Sequence, residues 1–405
     1  MLAVMPASDD AAETAGHPGE GGPVPPARTV SPRGRFVSRL VVTDFRCYAR
    51  AELRLQALPV VLSGPNGAGK TNVLEAVSLL SPGRGLRQAR PIDIIRHQGS
   101  GGYAVAASLE GGDLPAPLDI GTAVQPGTER RLVKRDGIQA TQASLAHDLS
   151  LLWLTPAMDR LWTEGAAGRR RFLDRLVMAR RPDHAEAHVV YEKAREERIR
   201  LLTQGPRDGQ WLTSLEGRLA RAGAAIVTNR RAAIAALNDA MAAADNGFPI
   251  ARLALTGEVE NWPELAADEI AARLQAGLAG LRQRDAEAGA QTLGPHRGDM
   301  AALHAGKALP APQCSTGEQK SLLISIVLAQ AALVAAESGR APLLLLDEVA
   351  AHLDPGRRGL LYDQLAARGG QVFLTGTERS LFDGLDGRAQ FLDVRDGSVA
   401  PASSL

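Results

Sequence analysis

The sequence predicts an α/β fold in which one sheet-containing domain is interrupted by a mostly helical domain. A glycine-rich octapeptide, Gly64–Thr71, stands between an apolar run and a segment of helical periodicity. A second apolar run, Leu343–Leu346, ends in two acids. Between these motifs, residues 155–289 are mostly Ala, Leu, Arg and Glu at helical spacing. Because α/β features return after the helical stretch, we expect one domain split by an insertion.

Gly64–Thr71 reads Gly-Pro-Asn-Gly-Ala-Gly-Lys-Thr and fits the phosphate-loop pattern GxxxxGK[ST]. Leu58–Ser63 predicts a buried strand before it, and Asn72–Leu80 predicts a helix after it. Lys70 is expected to reach the β- and γ-phosphates, and the Thr71 hydroxyl to ligate magnesium. The alternative is an ordinary glycine-rich turn, which the flanking strand and helix disfavour. The residues predicted to bind the nucleotide are Gly64, Pro65, Asn66, Gly67, Ala68, Gly69, Lys70 and Thr71.

Asp347 and Glu348 follow the apolar run, which predicts a buried strand whose carboxyl end meets the nucleotide. Asp347 would hold magnesium together with Thr71, and Glu348 would polarise the attacking water as a general base. An apolar strand that ends in acids can also be purely structural, but the phosphate loop upstream favours the functional interpretation. The predicted cofactors are ATP and Mg²⁺, and the predicted catalytic residues are Lys70, Asp347 and Glu348.

Composition places the predicted domain boundaries. Residues 1–35 are rich in Pro, Gly, Ala and acids and have no apolar signal-peptide core, so we expect a disordered extension. Residues 36–154 and 290–400 are expected to form the two halves of the ATPase domain. Residues 155–289 are expected to form the helical insertion, in which Phe248–Leu255 is a possible strand.

The hexapeptide Ser315–Lys320 reads Ser-Thr-Gly-Glu-Gln-Lys and opens a predicted helix, where Ser315 and Glu318 can form a capping box. It also resembles the signature motif of ABC-type ATPases, Ser-x-Gly-Glu/Gln-x, which lies a short way before the acidic strand in that family. There, the signature of one subunit contacts the γ-phosphate held by the other. The resemblance therefore implies that Ser315 and Gly317 bind the nucleotide across an ATP-dependent homodimer.

Two further segments resemble loops of the ABC class. His352–Asp354 is similar to the D-loop, which touches the partner's phosphate loop. Thr375–Thr377 stands where many members carry a switch histidine, and this chain has none there. Thr375 or Thr377 would then sense the γ-phosphate. No residue is assigned to the Q-loop glutamine.

Other motifs resemble the RecF family, in the SMC-like branch of the ABC class. Asp44–Tyr48, Asp-Phe-Arg-Cys-Tyr, is similar to its Asn-Phe-Arg-Asn-Tyr, with both Asn positions replaced. Thr155-Pro156 with Arg169–Asp174 is similar to its Ser-Pro…Arg-Arg-Arg-Phe-Leu-Asp block, and Gly294–Asp299 to its Gly-Pro-His-Arg-x-Asp block. The resemblance covers residues 36–395. It implies an α/β, P-loop ABC/SMC-like ATPase head with an inserted, mostly helical second domain.

This resemblance implies an ATP-dependent DNA-binding protein of recombinational and gap repair. ATP-driven dimerisation would clamp double-stranded, gapped or junction DNA, and hydrolysis would release it. The implied partners are RecR and RecO, with which the family supports the loading of RecA. The implied activity is that of a slow, DNA-stimulated ATPase of the cytoplasm. Neither the preferred DNA structure nor the residues that contact DNA follow from the sequence.

Two other functions share the nucleotide motifs. The ATP-binding subunit of a membrane transporter would carry the same phosphate loop, signature and acidic strand, but the helical insertion and the missing switch histidine disfavour it. A nucleotide-gated scaffold that does not hydrolyse ATP is disfavoured by the intact Lys70, Asp347 and Glu348.

The net charge is +1, so any nucleic-acid surface must be a local patch. Basic clusters exist in the predicted helical insertion, and on spacing alone they fit solvated helix faces balanced by acids such as Glu192, Glu196 and Glu197. The family resemblance favours contacts with DNA instead. The clusters are Arg169–Arg171 with Arg175, Arg180-Arg181, Arg195 with Arg198 and Arg200, and Arg230-Arg231.

The cysteines and the hydropathy pattern indicate a cytoplasmic protein without a membrane contact. Cys47 and Cys314 are far apart and form no CxxC, so neither a disulfide framework nor a zinc knuckle is expected. The most apolar stretch, Leu322–Ala336, is interrupted by Ser325 and Gln330 and is too short to cross a bilayer.

One side-chain set has metal-ligand spacing. His184, His188 and Glu192 fall at i, i+4 and i+8 on one predicted helix. The set could hold zinc, but this spacing is also common on solvated helices, and we favour the second interpretation.

Overall fold

The computed structural model describes residues 34–402, apart from residues 206–207 and 245–246 and the side chain of His352. The predicted disordered extension lies outside the described residues up to residue 33. Its last predicted residue, Arg35, already begins the first strand.

Strands dominate the first part of the described chain, helices the middle, and both alternate in the last part. The first part contains β1 (Arg35–Phe45), β2 (Tyr48–Arg54), β3 (Val60–Ser63), α1 (Lys70–Ser78), α2 (Pro91–Ile94), β4 (Tyr103–Gly111), β5 (Leu118–Val124), β6 (Arg131–Arg135), β7 (Ile138–Ala140), α3 (Leu145–Asp148) and β8 (Leu151–Leu154). The middle part contains α4 (Ala166–Arg180), α5 (Asp183–Gln204), α6 (Gly209–Ala243), β9 (Ala251–Thr256), α7 (Ala267–Gly280) and α8 (Arg282–Ala288). The last part contains β10 (Asp299–His304), β11 (Leu309–Pro310), α9 (Thr316–Ser338), β12 (Leu343–Leu346), α10 (Pro355–Arg368), β13 (Val372–Gly376), β14 (Gln390–Arg395) and β15 (Ser398–Pro401).

The central sheet has the strand order β15-β14-β3-β13-β12-β8. All neighbours are parallel except β15, which pairs antiparallel with β14. Every residue of β3, β8, β12 and β13 is buried. Burial on both faces explains why these strands are continuous apolar runs in the sequence.

The two faces of the central sheet belong to different hydrophobic clusters. Val60 and Leu62 point into the cluster that contains α1 and the antiparallel sheet β2-β1-β4-β5-β6-β7. Val61, Leu344 and Leu346 point into the cluster that contains α4, α6, α9 and α10. The α/β part is therefore layered, with an antiparallel sheet on one side and helices on the other.

The helical middle part shares its core with the α/β part. Phe172 of α4 and Leu237 of α6 lie in the same cluster as residues of α9 and β12. The predicted strand at Phe248–Leu255 is β9, and it pairs antiparallel with β10 from Ala251↔His304 to Thr256↔Asp299. This small sheet, β11-β10-β9, crosses the predicted boundary between residues 289 and 290.

Helix α9 corrects the expectation that no stretch is long and apolar enough to span a bilayer. It has 23 residues, and its most apolar window has a mean hydropathy of 1.8. However, 67% of that window is buried inside the protein, between α4, α6 and β8. The fully buried Gln330 donates from Nε2 to the Leu176 carbonyl oxygen at 2.7 Å. Length and composition alone would suit a membrane span, whereas the packing is that of a core helix.

A buried ion-pair network joins α5 to the other helices of the middle part. The guanidinium of Arg198 donates to Glu216 Oε1 at 3.0 Å, to Asp285 Oδ2 at 2.7 Å and to the Leu278 carbonyl oxygen at 2.7 Å. Both carboxylates are buried as well. Since Glu216 lies in α6, Leu278 in α7 and Asp285 in α8, a single side chain fixes three helices against α5.

We expect Arg198→Met to lower the free energy of unfolding by about 3–5 kcal/mol, because it leaves buried Asp285 without its cation and leaves buried Glu216 with Arg282 alone among the described residues. Urea denaturation followed by circular dichroism measures this change. Arg200→Met is the matched control, since Arg200 is exposed on the same helix, and its effect should stay within about 0.5 kcal/mol. Equal stability of the two variants would contradict the structural role of the network.

His296 joins the segment before β10 to α5. Its Nε2 donates to the Gln291 carbonyl oxygen at 3.0 Å, and its Nδ1 accepts from the Tyr191 hydroxyl at 2.7 Å. The bond from Tyr191 needs the neutral ring, because a protonated Nδ1 cannot accept, whereas the bond to Gln291 favours the charged ring. Burial, with smaller effects of Arg195 and Arg297, lowers the pKa of His296 to about 4.

The protein should therefore lose stability as the pH falls from about 6.5, the pKa of an unperturbed histidine, towards about 4. Over this window the unfolded chain binds a proton at residue 296 that the folded chain does not, and the loss reaches about 3 kcal/mol. His296→Gln should make the loss shallower. Denaturation at pH 7.5 and pH 5 measures it, with the exposed His147→Gln as the control. An unchanged pH dependence in His296→Gln would refute this role.

Candidate active site

Neighbouring parallel strands of the central sheet end at one edge. Gly64 follows β3, Asp347 follows β12, Thr155 follows β8, and β13 ends at Gly376. Ligands of open α/β sheets bind at the carboxyl ends of the strands. The strand order thus brings together two predicted motifs that are far apart in the sequence.

Two glycines of the predicted phosphate loop are required by the backbone and by close contacts. Gly64 has φ 150°, and a Cβ there would lie 2.1 Å from the Val394 carbonyl oxygen. Gly69 has φ 116°, and a Cβ there would lie 2.6 Å from the Tyr48 hydroxyl, which donates to the Gly69 carbonyl oxygen at 3.0 Å. Gly69 is also the N-cap of α1 and offers no side chain to its first amides. The Asn72 N–H donates to the Gly69 carbonyl oxygen at 2.9 Å, and the N–H groups of Lys70 and Thr71 can bind an anion.

Lys70, the first residue of α1, lies folded over the loop. Its Nζ donates to the carbonyl oxygens of Gly64 at 2.7 Å and Pro65 at 2.8 Å. Burial lowers the pKa of the Lys70 ammonium, and the charges of Glu348 and Asp347 act in the opposite direction. The lysine is therefore held at the loop by groups that a phosphate can replace as acceptors.

The carboxylate of Asp347 connects the loop to β13. Its Oδ1 accepts from the Thr71 hydroxyl at 3.0 Å and from the Thr375 hydroxyl at 2.7 Å. Burial raises the pKa of Asp347, and the two hydroxyl bonds oppose that effect. Of the two threonines proposed as γ-phosphate sensors, Thr375 lies in this network, whereas Thr377 is exposed.

Glu348 adopts a left-handed backbone conformation with φ 54°. Its backbone N–H donates to the Thr375 hydroxyl oxygen at 2.9 Å. This conformation costs free energy in any residue other than glycine, and non-glycine residues that adopt it are concentrated at functional sites. Glu348 lines a cavity of about 460 Å³ together with Thr71 and Asp347.

Ser315 and Gly317 lie at the start of α9 and are exposed. Ser315 and Glu318 form the expected capping box, with the Ser315 N–H donating to Glu318 Oε2 at 2.9 Å. A Cβ at Gly317 would meet no atom within 4 Å. Among the described residues, no hydrogen bond joins Ser315 or Gly317 to the phosphate loop of the same chain. The structure leaves these residues open to another molecule.

Sequence analysis missed the ion pairs of Glu75, a residue of α1. Glu75 is fully buried and accepts from Arg46 at 2.6 and 2.8 Å. Arg87 donates to the same carboxylate at 3.2 Å and to Asn72 Oδ1 at 2.8 Å. The only sequence signal for these pairs was Arg46, which lies in the Asp44–Tyr48 motif. Helical periodicity alone does not predict that Glu75 is buried.

Several arginines of the predicted basic clusters are not on the surface. Arg198 and Arg230 are buried, and Arg230 donates to both Asp174 oxygens at 2.7 and 2.8 Å. Arg169 pairs with Asp299 at 2.8 Å. For these residues, neither a solvated helix face nor a DNA contact is the correct interpretation, because they join elements of the fold. The exposed members are Arg171, Arg181 and Arg200.

The candidate zinc set, which sequence analysis disfavoured, is only partly assembled. Ligand atoms of His184 and His188 lie within 4.8 Å of each other and of Asp174. Glu192, the third candidate ligand, pairs with Arg195 instead. Both Asp174 oxygens already accept from Arg230, so a cation would compete with a guanidinium. We interpret the cluster as part of the packing between α4, α5 and α6.

Comparison with known proteins identifies the family. The family model described as the RecF/RecN/SMC N terminal domain matches residues 36–398. The DNA replication and repair protein RecF of Mesorhizobium japonicum is 47% identical over 376 residues, which cover 91% of this chain and 99% of that protein. The protein of the same name from Caulobacter sp. is 50% identical over 368 residues, which cover 86% of this chain and 94% of that protein.

Solved structures show the same fold. One of them is described as the recombination mediator protein RecF-ATPrS in the RecFOR pathway. It matches with a TM-score of 0.79 and 21% identity, and the match covers 92% of this chain and 100% of that one. The Smc head domain of Pyrococcus furiosus has a TM-score of 0.52 and 16% identity and covers 91% of this chain and 96% of that one. The predicted SMC-like ATPase head with a helical insertion is thereby confirmed. The chain is a member of the RecF family, within the wider family that shares the RecF/RecN/SMC N-terminal domain.

Proposed function

We propose that this chain is an ATP-dependent DNA-binding protein of recombinational and gap repair. The observation that carries the proposal is the convergence of the phosphate loop with Asp347 and Glu348 at the carboxyl edge of one parallel sheet. Relatives at 47% and 50% identity are named DNA replication and repair proteins. Membership in their family favours this function over that of a transporter subunit, which shares only the nucleotide motifs.

The oxygen donors of the site fit a magnesium ion. Thr71 Oγ1 and Asp347 Oδ1 lie 3.0 Å apart, and both are hard oxygen ligands of the kind that Mg²⁺ prefers. Thr71 and Asp347 would hold the ion, which when bound neutralises charge on the phosphates. Lys70 would exchange its two carbonyl acceptors for β- and γ-phosphate oxygens, and the loop amides would complete the binding of ATP.

Glu348 would act as the general base. Its carboxylate accepts a proton from the water that attacks the γ-phosphorus, and the bond to the leaving β-phosphate oxygen breaks as the new P–O bond forms. Thr375 would position this residue, because its hydroxyl holds both the Glu348 backbone N–H and the Asp347 carboxylate. The intact set disfavours a scaffold that binds ATP without hydrolysis.

ATP would also join two copies of the chain. Ser315 and Gly317 are exposed and make no hydrogen bond to their own loop within the described residues, as residues that complete a partner's nucleotide site must be. The dimer would clamp double-stranded or gapped DNA in the cytoplasm, and slow, DNA-stimulated hydrolysis would release it. RecO and RecR would be its partners in the loading of RecA. Nucleotide then shifts the population between monomer and clamp.

Glu348→Gln should lower the rate of ATP hydrolysis at least about a hundredfold, because the amide cannot accept the proton. With ATP and magnesium the variant should accumulate as a dimer that co-sediments with a labelled gapped duplex. Sedimentation velocity with and without nucleotide measures both properties, and exposed Glu378→Gln is the matched control.

A Glu348→Gln protein that stays monomeric under every condition would count against the dimer. A dimer that does not bind DNA would leave an ATPase with another partner.

Thr375→Val should lower the hydrolysis rate about tenfold to a hundredfold, since it removes a hydroxyl bonded to a carboxylate while preserving the shape. The affinity for ATP should stay within about threefold. Steady-state hydrolysis and titration with a fluorescent nucleotide measure the two quantities. Thr377→Val, at the exposed threonine two residues away, should behave like the wild type. The reverse ranking would assign the sensor to Thr377.

A further inference from the structure

The cavity beside the acidic residues extends to helix α4. Its lining includes Thr71, Asp347 and Glu348. The same lining includes Phe172, Arg171 and Arg175, among other residues. The two arginines are four residues apart on one helix, so their side chains share a face. The acidic residues of the proposed hydrolysis site and this pair of cations therefore line one cavity, which is open to solvent at exposed residues such as Arg87 and Glu164.

Arg175 is a buried cation without an acidic partner. It is 8% exposed, and no carboxylate pairs with it among the described residues. Its Nη2 donates to the Trp153 carbonyl oxygen at 3.3 Å, while its Nε has no hydrogen-bond partner. The guanidinium lies 4.1 Å from the centre of the Trp153 ring and 5.3 Å from that of Phe172. Burial lowers the pKa of Arg175 to about 9.

Arg171 is also unpaired, but it is exposed. The two preceding arginines of α4 are engaged, since Arg169 pairs with Asp299 and Arg170 donates to the Gly298 carbonyl oxygen at 2.8 Å. Arg171 makes no hydrogen bond or ion pair with any described residue. It faces the same cavity as Arg175. In α4, Arg169 and Arg170 therefore bind other parts of the fold, whereas Arg171 and Arg175 line the cavity without an acidic partner among the described residues.

The lining of the cavity carries charges of both signs, and it also includes Arg87 and Glu164. Asp347 and Glu348 repel an anion, whereas Arg171 and Arg175 attract it. A buried guanidinium with an unused donor is costly unless an anion or another acceptor satisfies it. Stacking on Trp153 offsets part of this cost but leaves the Nε donor unsatisfied.

We propose that Arg171 and Arg175 form a subsite for inorganic phosphate, which receives the phosphate released from ATP before it leaves the protein. The inference rests on the proposed hydrolysis for the source of the phosphate, but the binding of phosphate itself can be measured without turnover. The subsite lies on α4, which packs against both the sheet and α6. The helical middle part would therefore sense whether product phosphate has left.

Trp153 supplies the readout. Protein loaded with ADP and magnesium is titrated with inorganic phosphate while tryptophan emission is recorded, and equilibrium dialysis with labelled phosphate gives the affinity directly. Wild type should bind phosphate with a change in emission, and Trp153→Phe should bind phosphate without that change. Arg171→Gln should bind about tenfold more weakly, because it loses a charge-assisted hydrogen bond. The exposed Arg284→Gln on α8 is the matched control and should equal the wild type.

Arg171 is exposed, so its variant is expected to fold, and the test does not depend on the buried Arg175. No phosphate binding by the wild type, or equal binding by Arg171→Gln, would overturn the subsite. Hydrolysis of ATP is assayed separately. A protein that hydrolyses ATP but binds no phosphate refutes this inference alone, and one that binds phosphate without hydrolysing ATP refutes the proposed function alone.

A single-turnover experiment with γ-labelled ATP distinguishes product phosphate from phosphate in solution. Arg171→Gln should cleave ATP within about twofold of the wild type, whereas release of phosphate to a fluorescent sensor should be about tenfold slower. Release at the wild-type rate would overturn the route from the active site.

Discussion

The candidate active site depends on the placement of one buried carboxylate. Asp347 accepts from a hydroxyl at the start of α1 and from another at the end of β13. A single side chain therefore joins the phosphate loop to β12, which ends before Asp347, and to β13, which lies between them in the sheet. The second threonine, Thr375, also holds the strained backbone of Glu348. Loop, metal ligand and base are thus positioned by one small network, in which movement of any member moves the others.

The rest of the molecule keeps this network in place through its layers. Alternate residues of the central strands face α1 and the antiparallel sheet on one side and the helices on the other. The carboxylate of Glu75, a fully buried residue of α1, is neutralised by Arg46 and Arg87. Ion pairs such as Arg230 with Asp174 perform the same task between the helices. These buried charges lie where two elements of the fold meet, and their ion pairs hold the two elements in a defined relative position.

The sequence was most informative where backbone chemistry dictates residue types. The phosphate loop, the buried strands before it and before Asp347, and the capped start of α9 all lie where the apolar runs, the glycine spacing and the capping motif predict them. Burial was harder to predict, because helical periodicity treats Glu75 or Arg198 as a solvent-facing residue. The strand pairings were also out of reach, since β9 pairs with β10 across a predicted boundary. Contacts of this kind depend on partners that local pattern does not contain.

The position of β3 has a consequence for how the chain is made. This strand carries the phosphate loop at its end, yet its two neighbours in the sheet are β13 and β14, near the other end of the chain. During synthesis, β3 must wait for almost all of the remaining chain before its backbone groups are paired. Such non-local parallel pairing is slow, and the waiting strand presents unpaired apolar edges to other chains. A ribosome that stalls late would therefore leave a nascent chain with a complete phosphate-loop sequence, no nucleotide site and a strong tendency to aggregate.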